Sequence, residues 1–154
     1  MALKSLNQLR RFRNLLLGLR GLWLTRLQGV VLGANDSISL SARFRSARRG
    51  SISIGPDTLI AFKTLFLTRD SVSGEIRPIK VGQRCFVGGG SMILPGVTIG
   101  DECIIGGGAV VFDDVPARCI VVGNPARVLR RDIDVGVHGR LKGADDNSRR
   151  LYKI

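Results

Sequence analysis

The sequence predicts an all-β protein: a parallel β-helix of about four triangular coils over residues 30–131, with a helix before it and a polar tail after it. Three observations predict it. Stepping by six residues from Val81 meets Val87, Ile93, Ile99, Ile105 and Val111, all β-branched and aliphatic. Four residues after each stands a small side chain: Cys85, Ser91, Val97, Cys103, Ala109 and Val115. Longer motifs return at three times that step, since Gly88-Gly89-Gly90 recurs as Gly106-Gly107-Gly108 and Cys85 recurs as Cys103. A six-residue period matches neither the turn of an α-helix nor the alternation of a flat strand. It suits a short strand and a tight turn repeated three times per coil, with coils stacked about 4.8 Å apart and hydrogen-bonded one on the next. Gly82, Gly88, Gly100 and Gly106 follow the aliphatic position and are expected to supply turn conformations that a β-carbon penalises.

Along the chain, residues 1–29 read as a basic amphipathic helix. They hold six basic residues and no acid, and Leu9, Phe12, Leu16, Leu19, Trp23 and Leu27 recur at helical spacing, with Arg20 and Arg26 on the edges of the stripe. Such a helix either caps the open end of the first coil or lies on an anionic membrane with Trp23 at headgroup level. Leu32, Ile38 and Phe44 form a first, weaker coil, and Ile54, Ile60 and Phe66 a second, with Thr58, Thr64 and Asp70 at the small position. The intervals of 22 residues from Leu32 to Ile54 and 27 from Ile54 to Val81 leave about four extra residues near 45–50 and nine within 67–79. These extras must leave the prism as loops. The third and fourth coils run through Val81, Val87, Ile93 and through Ile99, Ile105, Val111. Residues 128–131 close the last coil, and 132–154, polar and without periodicity, read as a loosely ordered tail.

The net charge of +12 is uneven: residues 1–53 carry +9, 54–116 carry −2 and 117–154 carry +5. Aromatic residues make up only 5%, so the basic ends lack the stacking side chains that hold bases, and no nucleic-acid partner is expected. Cys85, Cys103 and Cys119 lack CxxC spacing and give neither a disulfide framework nor a four-ligand zinc site. The stacked pair Cys85 and Cys103 read as core filler. No apolar run approaches the roughly 20 residues of a spanning helix. Residues 15–24 fail as a signal peptide, because Arg20 interrupts them and no small-residue cleavage site follows. The expected location is cytoplasmic, at most peripheral at the inner face of the membrane.

The runs Val81-Gly82-Gln83-Arg84-Cys85-Phe86-Val87-Gly88 and Ile93-Leu94-Pro95-Gly96-Val97-Thr98-Ile99-Gly100-Asp101 resemble the hexapeptide-repeat acyltransferases. So do Ile105-Gly106-Gly107-Gly108-Ala109-Val110-Val111, Asp114-Val115-Pro116 and Gly123-Asn124-Pro125-Ala126-Arg127-Val128. The resemblance spans about residues 30–131 and implies a left-handed coil, a hand that spacing cannot give. It implies a homotrimeric, acetyl-CoA-dependent acyltransferase acting on a hydroxyl or amine of a saccharide, as in surface polysaccharide or lipid-linked sugar modification. Position by position, Gly89 and Gly107 match places where a small residue lets the pantetheine arm lie along the backbone. Arg127 and Arg130 look like the cations that meet the CoA phosphates, a role suited to the guanidinium fork. The plain alternatives are corner geometry for the glycines and a solvated tail for the arginines.

Two departures stand out. Many relatives have Thr-Lys where this chain has Phe112-Asp113, so one phosphate partner is lost. The family's base is a His, often in Thr-His-Asp, whereas the run here is Thr68-Arg69-Asp70. Arg69 cannot act as a base at neutral pH. The single histidine, His138, lies in the polar tail and reads as solvated. Three readings stay open: an amine acceptor that needs little help, Asp70 as a base raised by burial with Arg69 holding the acceptor or oxyanion, or a catalytically inactive scaffold. Metal-dependent hydration, as in the hexapeptide-fold carbonic anhydrases, needs three histidines and is excluded; no metal is expected.

Overall fold

The computed structural model describes Leu19, Gly21 and residues 23–142. The first coil is β1 (Val31–Leu32), β2 (Ser37–Ile38) and β3 (Arg43–Arg45); the second is β4 (Ile52–Ile54), β5 (Leu59–Ile60) and β6 (Leu65–Leu67). The third is β7 (Ile79–Val81), β8 (Phe86–Val87) and β9 (Met92–Ile93); the fourth is β10 (Thr98–Ile99), β11 (Ile104–Ile105) and β12 (Val110–Val111). A partial fifth adds β13 (Ile120–Val122) and β14 (Arg127–Arg130). The strands stack into three faces: β1-β4-β7-β10, then β2-β5-β8-β11-β13-β14, then β3-β6-β9-β12.

The hexad positions are the register. Ile54 pairs with Val81 and Val81 with Ile99 on the first face, Ile60 with Val87 and Val87 with Ile105 on the second, and Phe66 with Ile93 and Ile93 with Val111 on the third. All nine side chains are buried, because successive residues of a strand point to opposite faces and the hexad position is the inward one. Phe44 and Phe66 stack inside, ring centroids 4.9 Å apart, and fill the wider first two coils. The small positions form inner columns: Thr58, Cys85, Cys103 and Cys119 are all buried in one of them. The extra residues leave as loops at 46–51, one residue past the stretch expected, and at 68–78, inside it.

Four expectations need correction. Val115 does not sit at a small corner position; it bridges Ile99 and begins the partial fifth coil 16 residues on, so the repeat loses two residues there. The glycines after the aliphatic position do not adopt left-handed φ. A Cβ on Gly88 would fall 2.6 Å from Gly107 N and one on Gly100 2.5 Å from Ala117 N, so their role is clearance for the next coil. Left-handed turns fall instead on Asn35, Asp57, Arg84, Glu102 and Arg118, stacked at the corner between first and second faces, and on Lys63, Gly90 and Gly108 at the corner between second and third. In the helical turn, Leu24 rather than Trp23 or Leu27 of the predicted stripe plugs the prism: it is 1% exposed and its carbonyl accepts from Val30 N at 3.0 Å. Leu19, Trp23 and Leu27 stay exposed, and Leu9, Phe12 and Leu16 lie outside the described residues.

The fourth correction concerns the tail. Residues 132–142 form a strap on the outside of the prism, with Ile133 and Val135 buried. Ile133 N donates to Arg118 O at 3.2 Å and Arg118 Nε to Ile133 O at 3.1 Å. Further down, at the tight turn Val137–Gly139, His138 N donates to Asp57 O at 2.7 Å and His138 Nε2 lies 2.9 Å from Asn35 O. His138 is therefore engaged rather than solvated. The rest of the tail, 143–154, lies outside the described residues.

Candidate active site

The three corners of the prism carry three different assemblies. His138 sits at the corner between first and second faces, on the column of Asn35, Asp57, Arg84, Glu102 and Arg118. That column is held by Asn35 Nδ2 donating to Asp57 Oδ1 at 2.6 Å and by an Arg84–Glu102 ion pair.

The corner between second and third faces holds the glycine column. Gly108 N donates to Gly89 O at 2.9 Å, and a Cβ on Gly107 would lie 3.3 Å from that same oxygen. One coil lower, the ring of Phe62 covers Gly89, with Cζ 2.7 Å from where a Cβ would stand. The result is a strip of bare backbone floored by an aromatic ring. Phe62 precedes Gly89 by 27 residues, the same interval as Ile60 to Val87, so coil arithmetic could have found it.

The corner between third and first faces carries the loop 68–78. Thr68 is buried; its Oγ1 donates to Arg45 O at 3.1 Å and accepts from Ala47 N at 2.9 Å. Arg69 bridges Ile76, and its Nη1 donates to Gly74 O at 3.0 Å. Asp70 Oδ1 accepts from Val72 N at 2.8 Å and from Ser73 N at 3.4 Å. Those backbone N–H groups, Val72 first, hold its carboxyl below the usual carboxylate range. Burial does not raise Asp70, as a base role would need; the aspartate caps its own turn.

Arg127 and Arg130 stand exposed on β14, the strand beyond β13 on the second face. Arg127 Nη1 lies 3.8 Å from Asp113 Oδ2, so the acid that replaces the usual Lys also faces the expected phosphate cation. The structure thus stacks Gly89 on Gly107, joins Arg69 and Asp70 in one loop, and pairs Arg127 with Asp113. It puts the loop and the glycine column on opposite edges of the third face. The three thiols are buried in the inner column: the hydrogen bond that Cys85 and Cys103 share pushes Cys85 up and Cys103 down, and burial pushes Cys119 up. No His, Cys, Asp and Glu cluster that could hold a metal occurs among the described residues.

Residues 78–113 match the family described as bacterial transferase hexapeptide, six repeats. Over these residues the chain carries the hexapeptide repeat. The left-handed parallel β-helix that the resemblance implied is its fold. This hexapeptide-repeat chain is 65% identical over 52 residues to nodulation protein L of Rhizobium meliloti (strain 1021), a match covering 34% of the chain and 28% of that protein. Among solved structures it resembles a hexapeptide-repeat-containing acetyltransferase of Vibrio cholerae O1 biovar eltor, complexed with acetyl coenzyme A. That pair is 29% identical with a TM-score of 0.63, covering 69% of the chain and 62% of the relative. A maltose O-acetyltransferase of Clostridium difficile 630 is 28% identical with a TM-score of 0.58, covering 69% and 60% respectively. The chain therefore spans under a third of the curated relative and about three fifths of the solved ones.

The residues present fit a CoA-type donor. The bare strip at Gly107 is a cradle that a Cβ would fill, and Arg127 and Arg130 offer guanidinium forks matched to phosphate.

Proposed function

We propose that this hexapeptide-repeat chain transfers an acetyl group from acetyl-CoA to a saccharide, as a cytoplasmic homotrimer. The observation that carries the reading is the stacked pair Gly89 and Gly107, with bare backbone at Gly107 above the ring of Phe62 on Gly89, in a chain that resembles an acetyl-CoA complex and a maltose O-acetyltransferase. When bound, acetyl-CoA supplies a thioester carbonyl for attack. Gly89 and Gly107 admit the donor's arm, Phe62 closes the lower end of its track, and Arg127 and Arg130 take its phosphates. Asp70, ionised and committed to its turn, holds the loop, and Arg69 offers a fixed cation beside the acceptor.

An amine of the sugar is the acceptor that asks least of this loop, because it is nucleophilic once deprotonated. A hydroxyl needs a base, and Asp70 is a weak one. The exposed Leu19 and Leu27 beside Arg26 support a peripheral contact with an anionic membrane, and no helix among the described residues is long and apolar enough to cross one. The second reading, an inert scaffold, is favoured by that same engagement of Asp70 and by the placement of His138 at another corner.

Thiol release from acetyl-CoA, followed with amino sugars and with hydroxyl-only sugars, tests the reading. Release is expected with the amino sugars and is expected to fall at least tenfold in Arg127→Ala. Asp70→Asn can keep the turn and should retain most of the rate; a loss of a hundredfold or more would make Asp70 the base after all. Rates with any acceptor should lack the inflection near pH 6.5 that a histidine base gives. Failure of acetyl-CoA to bind would leave the scaffold.

A further inference from the structure

The third face carries a recess below the loop. Between the helical turn and strands β3 and β6 lies a cleft of about 720 Å³ whose walls include Trp23, Gln28, Arg43, Arg45, Lys63 and Leu65. Three of these are cations, and no carboxylate among the described residues lines the cleft. Arg43, Arg45 and Lys63 are exposed and have no ion-pair partner among the described residues. Arg43 and Arg45 flank Phe44, whose ring is buried on Phe66, so both guanidinium groups project from the same outer side of β3. β3 also ends the sheet, so no further strand of that face lies beneath it. A concentrated positive charge left unpaired at a recess is suited to an anion.

The cleft asks for more than an anion. Gln28 lines the cleft with its Oε1 buried and without a hydrogen-bond partner, a cost that a ligand hydroxyl would remove once the amide turns toward the cleft. Trp23 and Leu65 add apolar wall, and an indole offers a flat face for the C–H side of a sugar ring. The cleft also adjoins the loop, since Thr68, next to Arg69, exchanges hydrogen bonds with Arg45 O and Ala47 N.

We propose that this cleft binds an anionic saccharide, with its ring on Trp23, a hydroxyl on Gln28 Oε1 and its phosphate or carboxylate on Arg43, Arg45 and Lys63. Its service as the acceptor subsite rests on the acetyl-transfer reading; the binding itself does not.

Trp23 is the chain's single tryptophan, so its fluorescence reads the cleft directly. Titration with glucose 1-phosphate, glucuronate, glucose and inorganic phosphate separates the contributions. A saturable change is expected with at least one of the two acidic sugars, and whichever binds tells phosphate from carboxylate. Glucose and inorganic phosphate should each bind at least tenfold more weakly. The double variant Arg43→Ala/Arg45→Ala should lose at least tenfold and Gln28→Leu several-fold, with far-UV circular dichroism unchanged. No saturable change with either acidic sugar, equal binding of glucose or of inorganic phosphate, or folded variants that bind like the parent would each overturn the proposal. Calorimetry with acetyl-CoA on the same preparation keeps the two readings apart: sugar binding without CoA binding would remove the transferase and leave the cleft.

Discussion

At the level of single residues, the inner column that runs through Thr58, Cys85, Cys103 and Cys119 begins with a charge. Asp36 Oδ1 accepts from Thr58 N at 3.1 Å, while Oδ2 is buried without a partner. Burial raises the Asp36 pKa, against the opposing pull of the backbone N–H groups of Thr58 and Gly33. A carboxyl whose folded pKa is raised contributes stability that is fully present below the unfolded value, near 4, and is lost as pH rises through the folded value. Asp36→Asn should therefore gain on the parent as pH rises from about 4 to 7. Thermal melts of both proteins across that range check this, and an offset that stays flat with pH would show that the charge is not what matters. Asp70 stands opposite: its turn favours the ionised form, so acid should loosen the loop as pH falls below the usual carboxylate range. One aspartate is a structural burden at neutral pH and the other a structural asset.

Among the elements, the strap is held by few side chains. Ile133 is 2% exposed and Val135 4%, whereas Val137 is 50% exposed. Ile133→Ala should cost about 2–4 kcal/mol in urea unfolding and Val137→Ala under about 0.5 kcal/mol. Comparable losses at the two positions would mean that the strap does not dock as described. This element also marks where the sequence stopped being readable. The coils were legible because Val87, Ile93, Ile99 and their partners repeat a burial requirement six times over. The strap buries only Ile133 and Val135, an alternation too short to stand out among glycines and charges. The site was legible to the same degree: Gly89 and Gly107 lie on the repeat and could be placed, while Arg69 and Asp70 lie in a loop that the repeat does not govern, so their turn could not be foreseen. Strand β14 raises a second test. Asp113 sits 3.8 Å from Arg127, and both are exposed, so their attraction is weak and salt-screened. Asp113→Lys frees Arg127 and adds a cation, and should tighten acetyl-CoA by about fivefold in calorimetry at low salt. Unchanged affinity would take Arg127 out of the phosphate site.

For the whole molecule, the question is how a stack of coils becomes one cooperative unit. Each coil bonds only to its neighbours, so stability in such a stack is a sum of local terms and the ends fray first. The upper end is folded back by β14 against β13, and the lower end is plugged by Leu24. The strap does something neither plug can do. It joins Arg118, in the partial fifth coil, to Asp57 and Asn35 in the second and first, and so links coils that never touch. Gly139 is the contact that decides its docking. Its φ of +65° and the 2.5 Å between a would-be Cβ and Phe86 N leave no room for any side chain. Gly139→Ala should therefore lift the strap at its lower half and leave the core residues of every coil unchanged. Hydrogen exchange separates the outcomes. If the strap couples the ends, protection should fall mainly at the Ser37 and Ser39 amides, which donate from the first coil to the second. The Gly88 amide, between the third and fourth coils, should hold. An even loss across all coils would mean the variant only weakens the stack as a whole, and no loss at Ser37 or Ser39 would mean the first coil is held by Leu24 alone.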